Sequence, residues 1–209
     1  SPYFITGARL TAPLNNKTTF YGYLINGWQQ VRDVNKSLSV GTTLEHKADS
    51  LNTFVWTFYA GDEKSTLNPN FNMRYYTDVQ WIGNFKKWNF GAVASIGLQQ
   101  KSDSINKNQN HIWWQATCIS KYNFTAKHSI AARVEYFNDK HQNLVNPLFN
   151  MAGFDALGSS LCYSFKLKRN AMFRVEGKHL YSTDKIQADK NNKATNESWL
   201  AISNITIWF

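Results

Sequence analysis

The chain has 209 residues, 43% of them hydrophobic, with 23 Lys and Arg against 14 Asp and Glu and a formal net charge of +9. No run of about 18 consecutive apolar residues exists, which excludes a transmembrane helix. A mean hydropathy of -0.46 leaves open both a soluble β domain and a chain whose strands are apolar on one face only. The cations are scattered rather than gathered in a block of about five or more, so most read as solvated loops and turns and no nucleic-acid partner is expected.

Eleven strand segments separated by turn signals follow in order: 3–12, 18–28, 37–46, 52–61, 71–81, 88–99, 111–122, 128–138, 156–167, 171–181 and 199–209. Strands of soluble proteins average about five or six residues, whereas a tilted strand crossing a bilayer needs about 9–11. Length therefore favours the bilayer. The fifth segment alternates most clearly, with Phe71, Met73, Tyr75, Thr77, Val79 and Trp81 on one side and Asn72, Arg74, Tyr76, Asp78 and Gln80 on the other. In the eighth, Ile130, Ala132, Val134 and Tyr136 oppose Arg133 and Glu135; in the tenth, Phe173, Val175 and Gly177 oppose Arg174, Glu176 and Lys178. A slip by one residue would put a cation on the apolar face, at a cost of about 2–4 kcal/mol per Arg or Lys at a bilayer midplane, so register is strongly specified.

The links alternate too. Those after odd segments are short (13–17, 47–51, 82–87, 123–127, 168–170), and most after even segments are longer and polar (62–70, 100–110, 139–155, 182–198; 29–36 is the shortest). A membrane barrel of up-and-down topology has short turns at one rim and long loops at the other, and a Greek-key sandwich has no reason for it. The last segment, from Trp199 to Ile207-Trp208-Phe209, also fits a barrel strand ending at the membrane–water boundary. Trp81, Trp88 and Trp208 with Phe209 then fall near the turn rim, and Trp28, Trp113, Trp114 and Trp199 near the loop rim, as an aromatic girdle at each level. The fold expected is an all-β transmembrane up-and-down antiparallel β-barrel occupying residues 1–209 as one domain. Eleven is odd and bacterial single-chain barrels have even counts, so the chain is expected to be the carboxyl-terminal part of a longer protein, lacking at least one earlier strand.

The strand map puts Cys118 and Cys162 on different faces, so free thiols are expected. The five His are spread without metal spacing, Gly61-Asp62-Glu63-Lys64-Ser65-Thr66 lacks the glycines of a phosphate loop, and no cofactor is expected. A hydrolytic site could form only from residues brought together across strands, with His111 near Asp103, Ser104 and Asp139 as the candidates; the ordinary reading of His111 is a rim or loop residue. The informative set is the polar face, which carries Arg9, Glu45, Glu63, Arg74, Asp78, Lys121, Arg133, Glu135, Lys166, Arg174, Glu176 and Lys178, seven cations against five anions. These are the expected pore-lining residues of a hydrated lumen, with a weak preference for anions.

Several stretches carry a family resemblance. Tyr23-Leu24-Ile25-Asn26-Gly27-Trp28, Tyr59-Ala60-Gly61-Asp62-Glu63, Ala132-Arg133-Val134-Glu135-Tyr136-Phe137-Asn138-Asp139 and Phe173-Arg174-Val175-Glu176-Gly177-Lys178 resemble, in order, segments of the OmpL-like β-barrel porins (porin-2 type) of Gram-negative outer membranes. The final Trp208-Phe209 resembles the assembly signal read by the barrel-assembly machinery. The resemblance implies a non-enzymatic outer-membrane porin in contact with outer-membrane lipid, passing small hydrophilic solutes by diffusion. The alternatives are a structural barrel within a complex of other outer-membrane proteins, an outer-membrane hydrolase, and a soluble β-sandwich.

Overall fold

The computed structural model describes residues 2, 4–102, 109–145 and 153–208; Asp103, Ser104 and Phe209 lie outside these. The described residues contain no α-helix. They form β1 (Gly7–Pro13), β2 (Thr18–Ile25), β3 (Ser39–Lys47), β4 (Asn52–Asp62), β5 (Phe71–Phe85), β6 (Trp88–Lys101), β7 (Gln109–Asn123), β8 (His128–Asp139), β9 (Phe154–Lys168), β10 (Ala171–Ser182), β11 (Gln187–Ala188), β12 (Ala194–Thr195) and β13 (Glu197–Ile207). Eleven of these hydrogen bond in the order β1-β2-β3-β4-β5-β6-β7-β8-β9-β10-β13. Each long strand thus lies beside its neighbour in sequence, which is up-and-down topology. All eleven expected segments are present. The loop after β10 adds one feature the sequence did not suggest, the small hairpin β11–β12.

Boundaries differ where glycine or a turn intervenes. The first strand begins at Gly7 rather than at residue 3. Gly7 has φ 155°, and a Cβ there would stand 2.1 Å from the Leu24 carbonyl oxygen. Only glycine tolerates that approach, and one further backbone bond, from the Asn26 N–H to the Thr6 carbonyl at 3.0 Å, lies beyond the strand. The second strand stops at Ile25, before Gly27 (φ 134°) and Gln29 (φ 56°) reverse the backbone. The expected link 82–87 shrinks to residues 86–87, because β5 runs on to Phe85. Pro13, which has no N–H to donate, closes β1, a strand with β2 as its single neighbour in the order.

The contacts divide the chain into two compact units, one of Ser1–Trp81 with Ala94–Trp114, the other of Ile82–Val93 with Gln115–Phe209. In the first unit, burial alternates with period two. Arg74, Tyr76 and Asp78 of β5 are buried while Tyr75 and Val79 are exposed. Ser95, Gly97 and Gln99 of β6 are buried while Ile96 is exposed. The polar side chains therefore occupy the packed face, and Leu24, Val40, Phe54, Trp56, Ile112 and Trp114 project from the other. An apolar face this extensive is untenable in water. In hydrocarbon each such side chain gains about 1.5–3 kcal/mol relative to exposure.

The second unit repeats the pattern. Val134, Leu157, Leu161, Tyr163 and Val175 are exposed, opposite Arg133, Glu135 and Glu176. One strand shows how the polar face is built. Alternate residues of β9 on that face are Ala156, Gly158, Ser160, Cys162 and Ser164, all small. Long side chains from β8 and β10 lie across this strip. A Cβ on Gly158 would sit 2.8 Å from Glu135 Cγ, so the glycine makes the room that Glu135 fills. Cys162 is on the polar face and Cys118 is exposed on the other, and both are free, as the strand map anticipates.

Candidate functional site

The densest constellation lies in the first unit, on the polar face at the long-loop ends of β2, β4, β5 and β7. Trp28 follows β2 and turns back onto the wall, where its ring meets Tyr59, Tyr76 and Trp113 edge-on at 5.2, 5.1 and 6.3 Å. The Arg74 guanidinium stands over both indoles, 5.3 Å from the Trp28 ring and 5.5 Å from that of Trp113. Its Nε donates to Gln99 Oε1 at 2.7 Å. Glu63 Oε1 accepts the Trp28 backbone N–H at 3.1 Å and is hydrogen bonded to the Tyr59 hydroxyl. The Tyr59 hydroxyl also lies 3.0 Å from Ser39 Oγ.

The arrangement gives the buried Arg74 and the buried Glu63 each a set of partners. The arginine takes the electron-rich indole faces and an amide oxygen; the carboxylate takes an N–H and a phenol. Asp78, 1% exposed, accepts Gln80 Nε2 at 2.9 Å through one oxygen, and its Oδ2 has no partner among the described residues. The loop after β2 is tied down at further points. Asn26 Nδ2 donates to the Val31 carbonyl at 3.0 Å and Asn35 Nδ2 to the Asp62 carbonyl at 2.6 Å.

This cluster corrects two expectations. Trp28 (8% exposed) and Trp113 (1%) are buried against the polar face and do not belong to a lipid-facing girdle. Trp113 and Trp114 are adjacent in β7, so only one can point outward, and it is Trp114, 41% exposed. Trp28 lies beyond the strand, where alternation no longer predicts direction. The sequence signal for Trp113 was Gly97, whose Cβ would stand 2.0 Å from the Trp113 ring.

In the second unit the charged residues form a ladder. Arg133 Nη2 lies 3.6 Å from Glu135 Oε1 and 3.9 Å from Glu176 Oε1. It reaches across β9 because Ser160 and Cys162 are small; Ser160 is the register partner of Arg133, and Cys162 that of Glu176. Arg174 Nη1 donates to Thr206 Oγ1 at 3.3 Å. Lys121, Lys166 and Lys178 have no ion-pair partner among the described residues. In the first unit, Arg9 stands 5.8 Å over the Tyr21 ring and Glu45 pairs with Lys47 at 3.7 Å. These nine predicted pore-lining residues, Arg9, Glu45, Lys121, Arg133, Glu135, Lys166, Arg174, Glu176 and Lys178, lie outside the aromatic cluster.

Of the remaining girdle residues, Trp81 Nε1 donates to Asn52 Oδ1 at 3.0 Å. Trp88 stacks on Phe90 at 5.7 Å and packs on Tyr122 at 4.7 Å, beside the turn at 86–87. Trp199, 74% exposed, stacks on His179 at 4.0 Å. Trp208 is exposed and donates its N–H to the Asn170 carbonyl at 3.1 Å. His111 lies 3.4 Å from Gln109 Oε1. Asp139 uses both oxygens on the backbone N–H groups of Asn143, Leu144 and Val145, so it caps a loop. No group of metal-ligating side chains occurs among the described residues.

Residues 1–207 match the model of a protein family described as Putative beta-barrel porin-2, OmpL-like. Among solved structures, the chain is similar to an anion-selective porin from Comamonas acidovorans, with a TM-score of 0.72 at 7% identity, covering 96% of this chain and 58% of that one. It is also similar to the NanC porin, with a TM-score of 0.54 at 12% identity, covering 96% of this chain and 91% of that one. No curated protein matches by sequence. Likeness at these identities shows the fold alone, the transmembrane up-and-down antiparallel β-barrel of porins.

Proposed function

The chain belongs to the OmpL-like β-barrel porin-2 family, and from that premise we propose that it forms part of a Gram-negative outer-membrane channel through which small hydrophilic solutes diffuse, with no catalytic step. The single observation that carries this reading is the segregation of the two strand faces. One face projects apolar side chains such as Leu24, Val40, Trp56, Val134, Leu161 and Val175, and the other holds fixed charges that a dry core would not accept. Solutes need only a hydrated path between those charges, so transport requires no cofactor. The apolar face meets outer-membrane lipid, and the last strand with Trp208 and Phe209 engages the barrel-assembly machinery.

Wall charge gives the channel a preference for anions. Glu63 is engaged by the Trp28 N–H and Tyr59, and Glu135 and Glu176 are engaged by Arg133. Lys121, Lys166 and Lys178 carry no such ion-pair partner among the described residues. The anion-selective porin from Comamonas acidovorans, similar in fold, is consistent with that sign. Reconstitution in planar bilayers under a KCl gradient tests both statements. A reversal potential of the sign set by chloride is expected. Clear cation selectivity would overturn the preference, and a complete absence of conductance would overturn the channel in favour of a structural barrel.

A further inference from the structure

A cavity of about 280 Å³ opens on the polar face of the first unit, beside the arginine cluster, with which it shares Tyr59 and Tyr76. Tyr23, Tyr59 and Tyr76 contribute aromatic rings, and Thr43, Thr57 and Gln80 contribute hydroxyls and an amide. Gly41 forms part of its lining, and Phe4 and Ile5 contribute to it from the segment that precedes β1. None of the lining residues carries a formal charge.

We propose that this cavity is a binding subsite for one uncharged, polyhydroxylated ring, chemically a neutral monosaccharide unit. Three features converge on that class. Aromatic rings offer flat apolar surfaces that match the C–H faces of a sugar ring, while non-ionic donors and acceptors match its hydroxyls. The Thr43 and Thr57 hydroxyls are 3.4 Å apart, at the long limit of a hydrogen bond, so each keeps capacity for a ligand. Gln80 commits an N–H to Asp78 at 2.9 Å, which fixes the amide plane and leaves its oxygen as an acceptor. The volume lies near the lower end of the range of about 300–1,000 Å³ for small-molecule sites, which suits one ring rather than a chain. An ionised ligand would find no counter-charge among the lining residues. The subsite rests on the proposed channel only for its biological access; binding itself does not require conduction.

Gly41 supplies the discriminating variant. A Cβ there would meet its nearest neighbours at 3.4, 3.5 and 3.6 Å, ordinary contact, so the backbone accepts a side chain that fills the cavity. The experiment is saturation-transfer difference NMR with D-glucose on the protein folded in a zwitterionic, sugar-free detergent. Wild type should show ring-proton saturation that titrates in the millimolar range, and Gly41→Leu should weaken it at least tenfold. Gly177→Ala, on the apolar face with nothing within 4 Å of its Cβ position, should leave it unchanged. Should Gly41→Leu fail to fold, the near-isosteric Thr43→Val/Thr57→Val pair should weaken binding several-fold. Absence of saturable transfer in wild type, or glucose binding unchanged in the folded cavity variants, would overturn the proposal. Binding without conductance in bilayers would retain the subsite and remove the channel; conductance without binding would do the reverse.

Discussion

Replacing Gly97 with alanine adds one methyl group and should be among the most damaging small changes available. That methyl would lie 2.0 Å from Cζ2, 2.2 Å from Cε2 and 2.6 Å from Cη2 of Trp113. Carbon atoms rest at about 3.5–4.0 Å, so the indole must retreat by roughly 1.5 Å. It has nowhere to go. Trp113 is 1% exposed, with the Arg74 guanidinium 5.5 Å from its ring and Trp28 at 6.3 Å. Forcing the ring into those neighbours costs about 1–3 kcal/mol of overpacking. Weakening the cation–π and edge-on contacts adds about 1–2 kcal/mol. Ejecting the ring altogether is bounded by the cost of deleting a buried tryptophan, about 3–5 kcal/mol. A loss of about 2–5 kcal/mol is therefore expected, against the gain of about 0.4–1 kcal/mol that Gly→Ala brings where it fits. The assay is equilibrium urea unfolding of the protein in lipid vesicles, read by tryptophan fluorescence. The decisive arm is a double-mutant cycle with Trp113→Ala. Once the ring is gone, Gly97→Ala should cost under about 0.5 kcal/mol, giving a coupling of at least about 1.5 kcal/mol. A single variant within about 0.5 kcal/mol of wild type, or strict additivity in the cycle, would refute the packing argument.

Glu63→Ala removes the acceptor of the Trp28 N–H and of the Tyr59 hydroxyl; charged hydrogen bonds of this kind contribute about 1.5–3 kcal/mol, so amide exchange at Trp28 should accelerate roughly 10- to 100-fold. Val134→Arg places a cation on the lipid side of β8, where Val134 is exposed; it should destabilise the folded protein by about 2–4 kcal/mol near the midplane, while Arg133→Gln should have a smaller effect. A charged, water-soluble methanethiosulfonate reagent should modify Cys162 on the lumen side and spare the lipid-facing Cys118 in membranes, and mass spectrometry of the two peptides checks the inside–outside map directly. Asp49 lies in the turn between β3 and β4, and its carboxyl is held below 3.8 first by the Asn52 side-chain amide and then by the Leu51 and Asn52 backbone N–H groups. Because the folded value is depressed, the turn is fully supported above the unfolded value of about 3.9 and loses that support as pH falls through the folded value; carbon-detected NMR should show the Asp49 carboxyl titrating below 3.8 and the Leu51 amide moving with it.

The number and order of the long strands, and the face of most residues within them, were legible in the linear chain because each follows from a local rule. Period two separates Arg74, Tyr76 and Asp78 from Tyr75 and Val79 with no knowledge of neighbours. Alternate short and long links dictate that each strand lies beside the next. The charged positions of β8 and β10 set register, because the alternative puts cations in hydrocarbon. The aromatic cluster was not legible in this way. Trp28 is three residues beyond the end of its strand, and its direction follows from the backbone reversal at Gly27 and from a cage supplied by β4, β5 and β7. Trp113 was assigned by its height along the strand, when its face was the deciding quantity.

The residue types along each strand determined by themselves that one side is apolar and the other holds charge, since a strand presents alternate side chains to opposite faces whatever surrounds it. Which of those charges face solvent and which are enclosed was decided only by tertiary structure. Arg74 is clamped between two indoles, Arg133 reaches Glu176 over the small residues of β9, and Lys178 keeps no ion-pair partner among the described residues. The physical reason is that availability of a charge depends on the side chains of adjacent strands, which lie dozens of residues away in sequence and 4.7–4.9 Å or so away in space, about one strand spacing.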